Sequence, residues 1–154
     1  MTGSSLGAFC VALYAENYPE HVKALAPKAT MISGQSSLES YDKNSLAEWE
    51  QTGFRIEESG TVPGLMKKLK WPQFREDIIK YDLLKKSDKL LMPVMLVIGS
   101  EDNDIRLNKM KEFYKTIPGK KNFEILQGAP HTFRDPKHLQ ELKFIFDNWI
   151  KGLD

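Results

Sequence analysis

The sequence lacks the features that mark several classes of protein. It contains a single cysteine, Cys10, which excludes an internal disulfide framework, and we expect Cys10 to be a small core residue. No apolar run approaches the roughly 20 residues that a membrane-spanning helix needs. The net charge is only +1, and Lys and Arg are spread along the chain, so no nucleic-acid or membrane surface is indicated.

Two further absences concern ligands and targeting. No set of Cys, His and Asp residues has the spacing of a metal site, and there is no glycine-rich phosphate loop. We therefore expect neither a metal nor any other cofactor. The first residues are small and polar, without the charged start and apolar centre of a secretory signal, so we expect a cytoplasmic protein.

The bulk composition is that of an ordinary globular domain. Of the 154 residues, 41% are hydrophobic and 28% are charged. A domain of this size buries about 70% of the surface that its unfolded chain exposes, which is enough for a hydrophobic core.

Strands alternate with helices along most of the sequence. The run from Pro93 to Gly99 is continuously apolar and rich in branched residues, as is typical of a strand buried on both faces. Such alternation indicates a parallel sheet. We predict an α/β fold with a small, mostly parallel sheet of about three strands. The predicted elements are a helix over 6–18, strands over 22–26, 93–99 and 122–126, and helices over 106–117 and 136–151.

Two local details accompany the first helix and strand. The large apolar residues of the first helix recur at three- and four-residue spacing, and we expect this face to be buried. Pro27 has no backbone N–H, so we expect the strand over 22–26 to be short or to lie at an edge. The expected buried face consists of Leu6, Phe9, Cys10, Leu13 and Tyr14.

The region over 33–91 is different, because it is charged and aromatic and lacks strong strand signals. We predict that it is a helical insertion. Residues 33–44 have the composition of a loop. Ser45 is the predicted N-cap of the next helix, with Glu48 completing a capping box. Prolines suit the first turn of a helix, and further short helices are predicted over 63–70, 72–81 and 82–89.

The segment Gly3-Ser4-Ser5-Leu6-Gly7 has the pattern G-x-S-x-G. This pattern is typical of a sharp turn between a strand and a helix that lifts a nucleophilic serine above a sheet. Small residues flank the serine because the chain reverses tightly and the serine backbone is strained. Only Met1 and Thr2 precede the motif, so we expect the strand that should lead into the turn to be missing.

Two further polar residues follow predicted strands. Asp102 comes just after the strand over 93–99, and His131 lies in the loop after the last strand. Active groups collect beyond the carboxyl ends of strands in open parallel sheets. An imidazole can take the proton of a serine hydroxyl near neutral pH, and a carboxylate can hold the ring in the required tautomer. Ser5, Asp102 and His131 are therefore the predicted catalytic residues.

Each of these residues also has an ordinary interpretation. The motif around Ser5 is short enough to occur by chance. Asp102 could be a loop carboxylate or a helix N-cap, and Asp104 is the second candidate for the acid. His131 could be an ordinary loop histidine.

The sequence resembles the α/β-hydrolase superfamily, in particular its serine-aminopeptidase-like and carboxylesterase-like members. The resemblance implies that 1–32 and 92–154 form the C-terminal part of the hydrolase core and that 33–91 is a helical lid. It also implies that the backbone N–H of Leu6 is an oxyanion donor. The resembling stretches are Thr2-Gly3-Ser4-Ser5-Leu6-Gly7-Ala8, Tyr18-Pro19-Glu20-His21-Val22-Lys23-Ala24-Leu25, Pro93-Val94-Met95-Leu96-Val97-Ile98-Gly99-Ser100-Glu101-Asp102 and Gly128-Ala129-Pro130-His131-Thr132-Phe133.

The resemblance implies a serine hydrolase of ester or amide bonds that acts through an acyl-serine intermediate on a small-molecule ester or peptide. The lid would shape the substrate pocket, although each of its large aromatic residues could instead pack within the lid. An acyltransferase or a carbon–carbon hydrolase would use the same three residues. The candidate pocket residues are Trp49, Phe54, Trp71 and Phe74.

The family also has strands before the turn, and a second oxyanion donor in the loop after its third strand, that this sequence does not match. We therefore expect the isolated chain to be incomplete as an enzyme. The alternative is a non-catalytic truncated or split-frame product that acts, if at all, as an interaction domain. The strand over 22–26 would expose an unpaired edge, which invites a partner. That partner would be the missing N-terminal half or a second copy of the chain.

Overall fold

The computed structural model describes residues 1–59 and 62–153. The chain divides into two compact units, the first formed by residues 1–32 with the chain from residue 83 onward, and the second by residues 33–82. The elements, in chain order, are β1 (Thr2–Ser4), α1 (Leu6–Asn17), β2 (Ala26–Lys28), α2 (Gly34–Glu39), α3 (Lys43–Thr52), β3 (Phe54–Glu58), β4 (Met66–Lys70), α4 (Trp71–Ile78), β5 (Val94–Gly99), α5 (Asp104–Thr116), β6 (Lys121–Leu126) and α6 (Pro136–Lys151).

The sheet of the first unit confirms the predicted α/β class. Its strands have the order β1-β2-β5-β6, and all neighbours are parallel. All six residues of β5 are buried, as the continuous apolar run predicts. The sheet has four strands rather than about three, because the sequence analysis did not include β1.

The expectation that no strand leads into the turn at Ser5 is wrong. Three residues, Thr2–Ser4, form β1 and pair in register with β2. Backbone hydrogen bonds fix this pairing at both ends, because Ala26 N donates to Met1 O and Ser5 N donates to Lys28 O. The outer strand on this side of the described sheet is consequently β1, not the strand predicted over 22–26.

The position of β2 also differs from the prediction. The strand covers Ala26–Lys28 and includes Pro27, although it has a neighbour on each side. The ladder to β5 accommodates the missing N–H, because Leu25 N donates to Pro93 O and Ala29 N donates to Val97 O, one on each side of the proline. The strand is short, as expected, but the interpretation of Pro27 as its end placed it too early in the chain.

The buried face of helix α1 includes Phe9, as predicted, but otherwise differs from the predicted face. Leu6 is 65% exposed and Cys10 is exposed, so the expectation that Cys10 is a core residue is wrong. The buried residues are small apart from Phe9 and Glu16, which lets the helix lie against the sheet. A Cβ atom on Gly3 would lie only 2.5 Å from the carbonyl oxygen of Gly7 in α1. The buried residues of α1 are Ala8, Phe9, Ala12, Ala15 and Glu16.

The helices after β5 and β6 lie close to their predicted positions. Helix α5 buries Met110 and Phe113 among the core residues of the first unit. In α6, Leu142 is buried but Leu139 is 46% exposed. Three further apolar residues of this helix are half-buried and pack on a second cluster around Met95 and Val97, namely Ile145, Phe146 and Trp149.

The sequence predicts a helical insertion, but the second unit also contains strands. Helix α2 lies within the predicted loop over 33–44, and the predicted helix over 63–70 is largely β4. Strands β3 and β4 form an antiparallel hairpin in which exposed and half-buried residues alternate along β3. Asp42 is the N-cap of α3 because its carboxylate accepts a hydrogen bond from Ser45 N, so Ser45 is not the cap.

Residues 83–91, predicted as part of the insertion, belong to the first unit. Leu83 and Leu90 are fully buried there among residues that contact the sheet. Two short 3₁₀ turns, Leu83–Lys85 and Ser87–Lys89, replace the helix predicted over 82–89.

Candidate functional site

Ser5 occupies the turn between β1 and α1. Its φ of 53° is positive, a conformation that costs energy for a residue with a side chain, as the motif predicts. The turn is held because Ser5 N donates to Lys28 O at 2.9 Å. The first position of the motif requires glycine, because a Cβ atom on Gly3 would lie 2.5–2.7 Å from backbone atoms of Gly7 and Ala8. The strained turn thus directs Ser5 beyond the carboxyl end of β1.

Asp102 follows the carboxyl end of β5, and its side chain is only 1% exposed. Its Oδ1 accepts a hydrogen bond from Asn103 N at 2.7 Å. The N-cap of α5 is Asn103, whose side chain accepts from the N–H groups of Ile105 and Arg106, so Asp102 is not the cap. Asp104, the second candidate for the acid, is the exposed first residue of α5 and is not among the described contacts of His131.

The loop after β6 holds His131 against the end of β5. Ala129 O accepts from Glu101 N at 3.0 Å, and Ser100 Oγ accepts from Gly128 N at 2.8 Å. The approach is so close that a Cβ atom on Gly99 would lie 2.0 Å from Ala129 O. Backbone contacts between the two loops therefore set the distance between Asp102 and His131.

The three predicted residues come together in one line of hydrogen bonds. The Nδ1 of His131 lies 2.8 Å from Oδ2 of Asp102, and its Nε2 lies 3.0 Å from Oγ of Ser5. An ionised carboxylate only accepts hydrogen bonds, so this partner assigns the ring proton to Nδ1. Nε2 then has a free lone pair and accepts from the Ser5 hydroxyl. In this tautomer the ring is able to take a proton from Ser5.

Arg106 is a fourth charged residue of the site, and the sequence analysis missed it. Its Nη1 donates to Oδ1 of Asp102 and lies 3.1 Å from Nδ1 of His131. The side chain is 24% exposed. The signal that could have found it is the spacing of four residues between Asp102 and Arg106 at a predicted helix start, which places the two on the same side of the first turn.

The electrostatic surroundings keep Asp102 ionised. Burial is the largest single influence and by itself raises the pKa of the carboxyl. The hydrogen bond with His131, the charge of Arg106 and the bond from Asn103 N together outweigh it, so the pKa lies below its ordinary value of 3.8. The carboxylate is therefore negatively charged at neutral pH.

The backbone N–H of Leu6 is the first of helix α1. Among the described residues nothing accepts a hydrogen bond from it, as is usual for the first N–H groups of a helix.

Within residues 1–59 and 62–153, no three His, Cys, Asp or Glu side chains are grouped as metal ligands would be. No described helix has both the length and the apolar character to cross a membrane.

Comparison with known proteins identifies the fold. No protein-family model matches the sequence, and no curated protein matches it significantly. Among solved structures, alpha/beta hydrolase domain-containing protein 10 from mouse aligns with a TM-score of 0.77 at 22% identity, over 99% of this chain and 62% of that chain. A monoacylglycerol lipase of Paleococcus ferrophilus aligns with a TM-score of 0.72 at 17% identity, over 99% and 68%.

A third solved structure, Est1E from Butyrivibrio proteoclasticus, aligns with a TM-score of 0.71 at 18% identity, over 99% of this chain and 60% of that chain. This chain therefore spans 60–68% of the length of these three proteins. It has part of the α/β-hydrolase fold.

Proposed function

We propose that this chain provides the catalytic residues of a serine hydrolase that cleaves ester or amide bonds through an acyl-serine intermediate. The observation that supports this most strongly is the line of hydrogen bonds from Ser5 through His131 to Asp102, with distances of 3.0 and 2.8 Å. The three residues lie on different segments, and Ser5 and His131 are 126 positions apart. Nucleophile, base and orienting acid in hydrogen-bond reach are the geometry that this chemistry requires.

In the first half-reaction, His131 Nε2 takes the proton of Ser5 as Oγ attacks the substrate carbonyl carbon. The imidazolium that forms is stabilised by the Asp102 carboxylate through Nδ1–H. Its proton then passes to the leaving alcohol or amine as the bond to the carbonyl carbon breaks. The product of this step is acyl-Ser5.

In the second half-reaction, His131 Nε2 takes a proton from water as the water oxygen attacks the acyl carbon. The imidazolium then returns this proton to Ser5 Oγ as the bond between Oγ and the acyl carbon breaks, which releases the acid and restores Ser5. In both steps a negative charge develops on the former carbonyl oxygen. The N–H of Leu6 is free and adjacent to Ser5, so we assign it as one oxyanion donor. One such donor contributes about 2.7–4 kcal/mol to stabilising the transition state.

The names of the structurally similar proteins favour esters over amides. They include a monoacylglycerol lipase, Est1E bound to ferulic acid, and an esterase domain from a Rhodothermus marinus protein. These activities belong to those proteins. For this chain we propose a small-molecule ester as the substrate class, with a peptide as the alternative.

We further propose that another polypeptide segment completes the site. Among the described residues, β1 pairs only with β2, so its outer edge has no strand partner. The Leu6 N–H is the one oxyanion donor that we assign among the described residues. The missing N-terminal half of the hydrolase fold or a second copy of the chain would supply the further strand. The same free edge favours the alternative function, in which the chain is a non-catalytic interaction domain.

Residues 33–82 form a unit of their own, and we propose that this unit is the lid. Its two ends are adjacent, because Ser33 and Asp82 form an isolated β-bridge. A short Gly-Ser linker can therefore replace residues 34–81 without stretching the first unit. If the unit is a lid, its removal will reduce the differences in hydrolysis rate among p-nitrophenyl esters of different acyl length. An unchanged preference would contradict this role.

A fluorophosphonate probe tests the proposed function. We expect labelling that is lost in Ser5→Ala and retained in Ser4→Ala, a control on the neighbouring exposed serine of β1. If labelling appears only after addition of the segment that precedes the turn in a structurally similar hydrolase, the chain is a half that needs completion. If neither condition gives labelling, the interaction-domain alternative is correct. Light scattering separates a monomer from a second-copy assembly.

A further inference from the structure

Arg106 contacts both members of the Asp102–His131 pair, and the mechanism above does not use it. Its backbone position is fixed at the start of α5, where Asn103 Oδ1 accepts from Arg106 N at 3.3 Å. From there the side chain turns back over the first turn of the helix to Asp102. The remaining exposure of 24% shows that the guanidinium is largely covered.

The two oxygens of Asp102 are divided between different donors. Oδ2 faces His131, and Oδ1 accepts from both Asn103 N and Arg106 Nη1. A guanidinium is protonated at all relevant pH values and has no lone pair to offer. The N–H groups of Arg106 and His131 therefore converge on one carboxylate as two donors, 3.1 Å from each other.

This arrangement has an electrostatic consequence for the ring. The side chains that contact His131 are Ser5 from the turn after β1, Asp102 from the loop after β5 and Arg106 from α5. Asp102 favours a positive charge on the ring, and Arg106 opposes it at nearly the same distance. The attraction between the ring and Asp102 is poorly screened because the carboxylate is buried.

We propose that Arg106 is a positioning residue that fixes the Asp102 carboxylate and thereby holds the His131 ring in the orientation and tautomer that can accept a proton from Ser5. This inference rests on the proposed function for its effect on rate, but not for its effect on the ring. By pairing with Oδ1, Arg106 leaves Oδ2 as the partner of Nδ1–H. It thereby also selects the tautomer with a free Nε2 lone pair.

The test is the pair of variants Arg106→Met, which removes the charge, and Arg106→Lys, which keeps it. In Arg106→Met we expect acylation of Ser5 at neutral pH to be about tenfold slower with little change in KM, because the carboxylate that orients the ring is less well fixed. In Arg106→Lys the loss is less than half of that on a logarithmic scale. Lys111→Met is the matched control, because it removes an exposed cation from the same helix and leaves the rate unchanged.

An NMR measurement of the His131 ring nitrogens at neutral pH separates this inference from the proposed function. The signals are assigned by their loss in His131→Gln, and their ¹⁵N shifts report which nitrogen carries the proton without any catalysis. If the ring of Arg106→Met moves away from the Nδ1–H tautomer while no variant acylates Ser5, the inference holds and the proposed function fails. If Ser5 is acylated and neither the tautomer nor the rate changes in Arg106→Met, the inference is wrong.

Discussion

The carbonyl oxygen of Ala129 lies so close to Gly99 that a Cβ atom there would be 2.0 Å away. Gly99 ends the strand that leads to Asp102, and Ala129 lies two residues before His131. The absence of one side chain therefore allows the acid-bearing and base-bearing loops to meet. The atom that this Cβ would meet is a backbone oxygen, so a change of side-chain rotamer could not relieve the clash.

Gly99→Ala should consequently destabilise the fold and separate the loops. We expect a loss of about 1–3 kcal/mol in the free energy of unfolding, measured by urea titration, because overpacking at a rigid contact costs this much. The rate of Ser5 acylation should fall about 100-fold if His131 moves by about 1 Å. Gly152→Ala is the control, since a Cβ there makes only ordinary contacts at 3.5 Å or more. Equal behaviour of the two variants would contradict the proposed role of Gly99.

Asp102→Asn should affect both rate and stability. An amide cannot stabilise the imidazolium or hold the required tautomer, so we expect about a 10⁴-fold lower acylation rate, by analogy with the loss seen for such an exchange in a serine protease. Asp104→Asn, on the exposed first residue of α5, should change the rate by less than about twofold. A similar loss in both variants would show that Asp102 has no special role.

The stability effect of Asp102 depends on pH in a defined direction. Folding lowers the pKa of this carboxyl, so its ionised form stabilises the native state above the ordinary pKa of 3.8. That contribution is lost as the pH falls through the lower pKa of the folded state. The difference in unfolding free energy between wild type and Asp102→Asn should therefore be largest near neutral pH and shrink in strong acid. A difference that grows on acidification would contradict the assigned charge state.

Trp49 should be the main stabilising residue of the unit over 33–82. It is 1% exposed, its Nε1 donates to Leu69 O at 3.1 Å, and its ring lies 5.2 Å from Trp71 and 4.8 Å from Phe74 between centroids. Trp49→Ala should destabilise the unit by about 3–5 kcal/mol. Faster amide exchange in the β3–β4 hairpin would report this loss.

The control for Trp49 is Phe54→Ala, because Phe54 is 40% exposed. We expect it to cost less than about 1 kcal/mol. The comparison also bears on the predicted pocket residues, since Trp49, Trp71 and Phe74 pack on one another within the unit. Equal exchange rates in the two variants would contradict the central position of Trp49.

The sequence predicted the elements that bear Ser5, Asp102 and His131 because each has a strong local signal. A glycine-flanked serine, a continuous apolar strand followed by a carboxylate, and a histidine after the last strand are all visible along the chain. Parallel topology then places strand ends at one edge of the sheet. The geometry between the residues depends on backbone contacts such as that of Gly99 with Ala129, which no local pattern shows.

The sequence failed where large apolar residues or helix signals dominated the interpretation. In α1 the alanines face the sheet, because close packing favours small side chains over the larger Leu6 and Tyr14. For the segment over 63–70 the sequence predicts a helix, but the pairing of β4 with β3 places Lys67 opposite Glu57, where the two form an ion pair. Tertiary pairing therefore outweighed local propensity in both elements.

The most direct test of the central claim is to trap the acyl-serine intermediate. The chain is mixed with a p-nitrophenyl ester, with and without the segment that completes the sheet, quenched in acid and digested, and the peptide containing Ser5 is examined by mass spectrometry. We expect one acyl group on Ser5, and none in His131→Gln mixed under the same conditions. Turnover of the ester without acyl-Ser5, or equal acylation of the His131→Gln variant, would contradict the account.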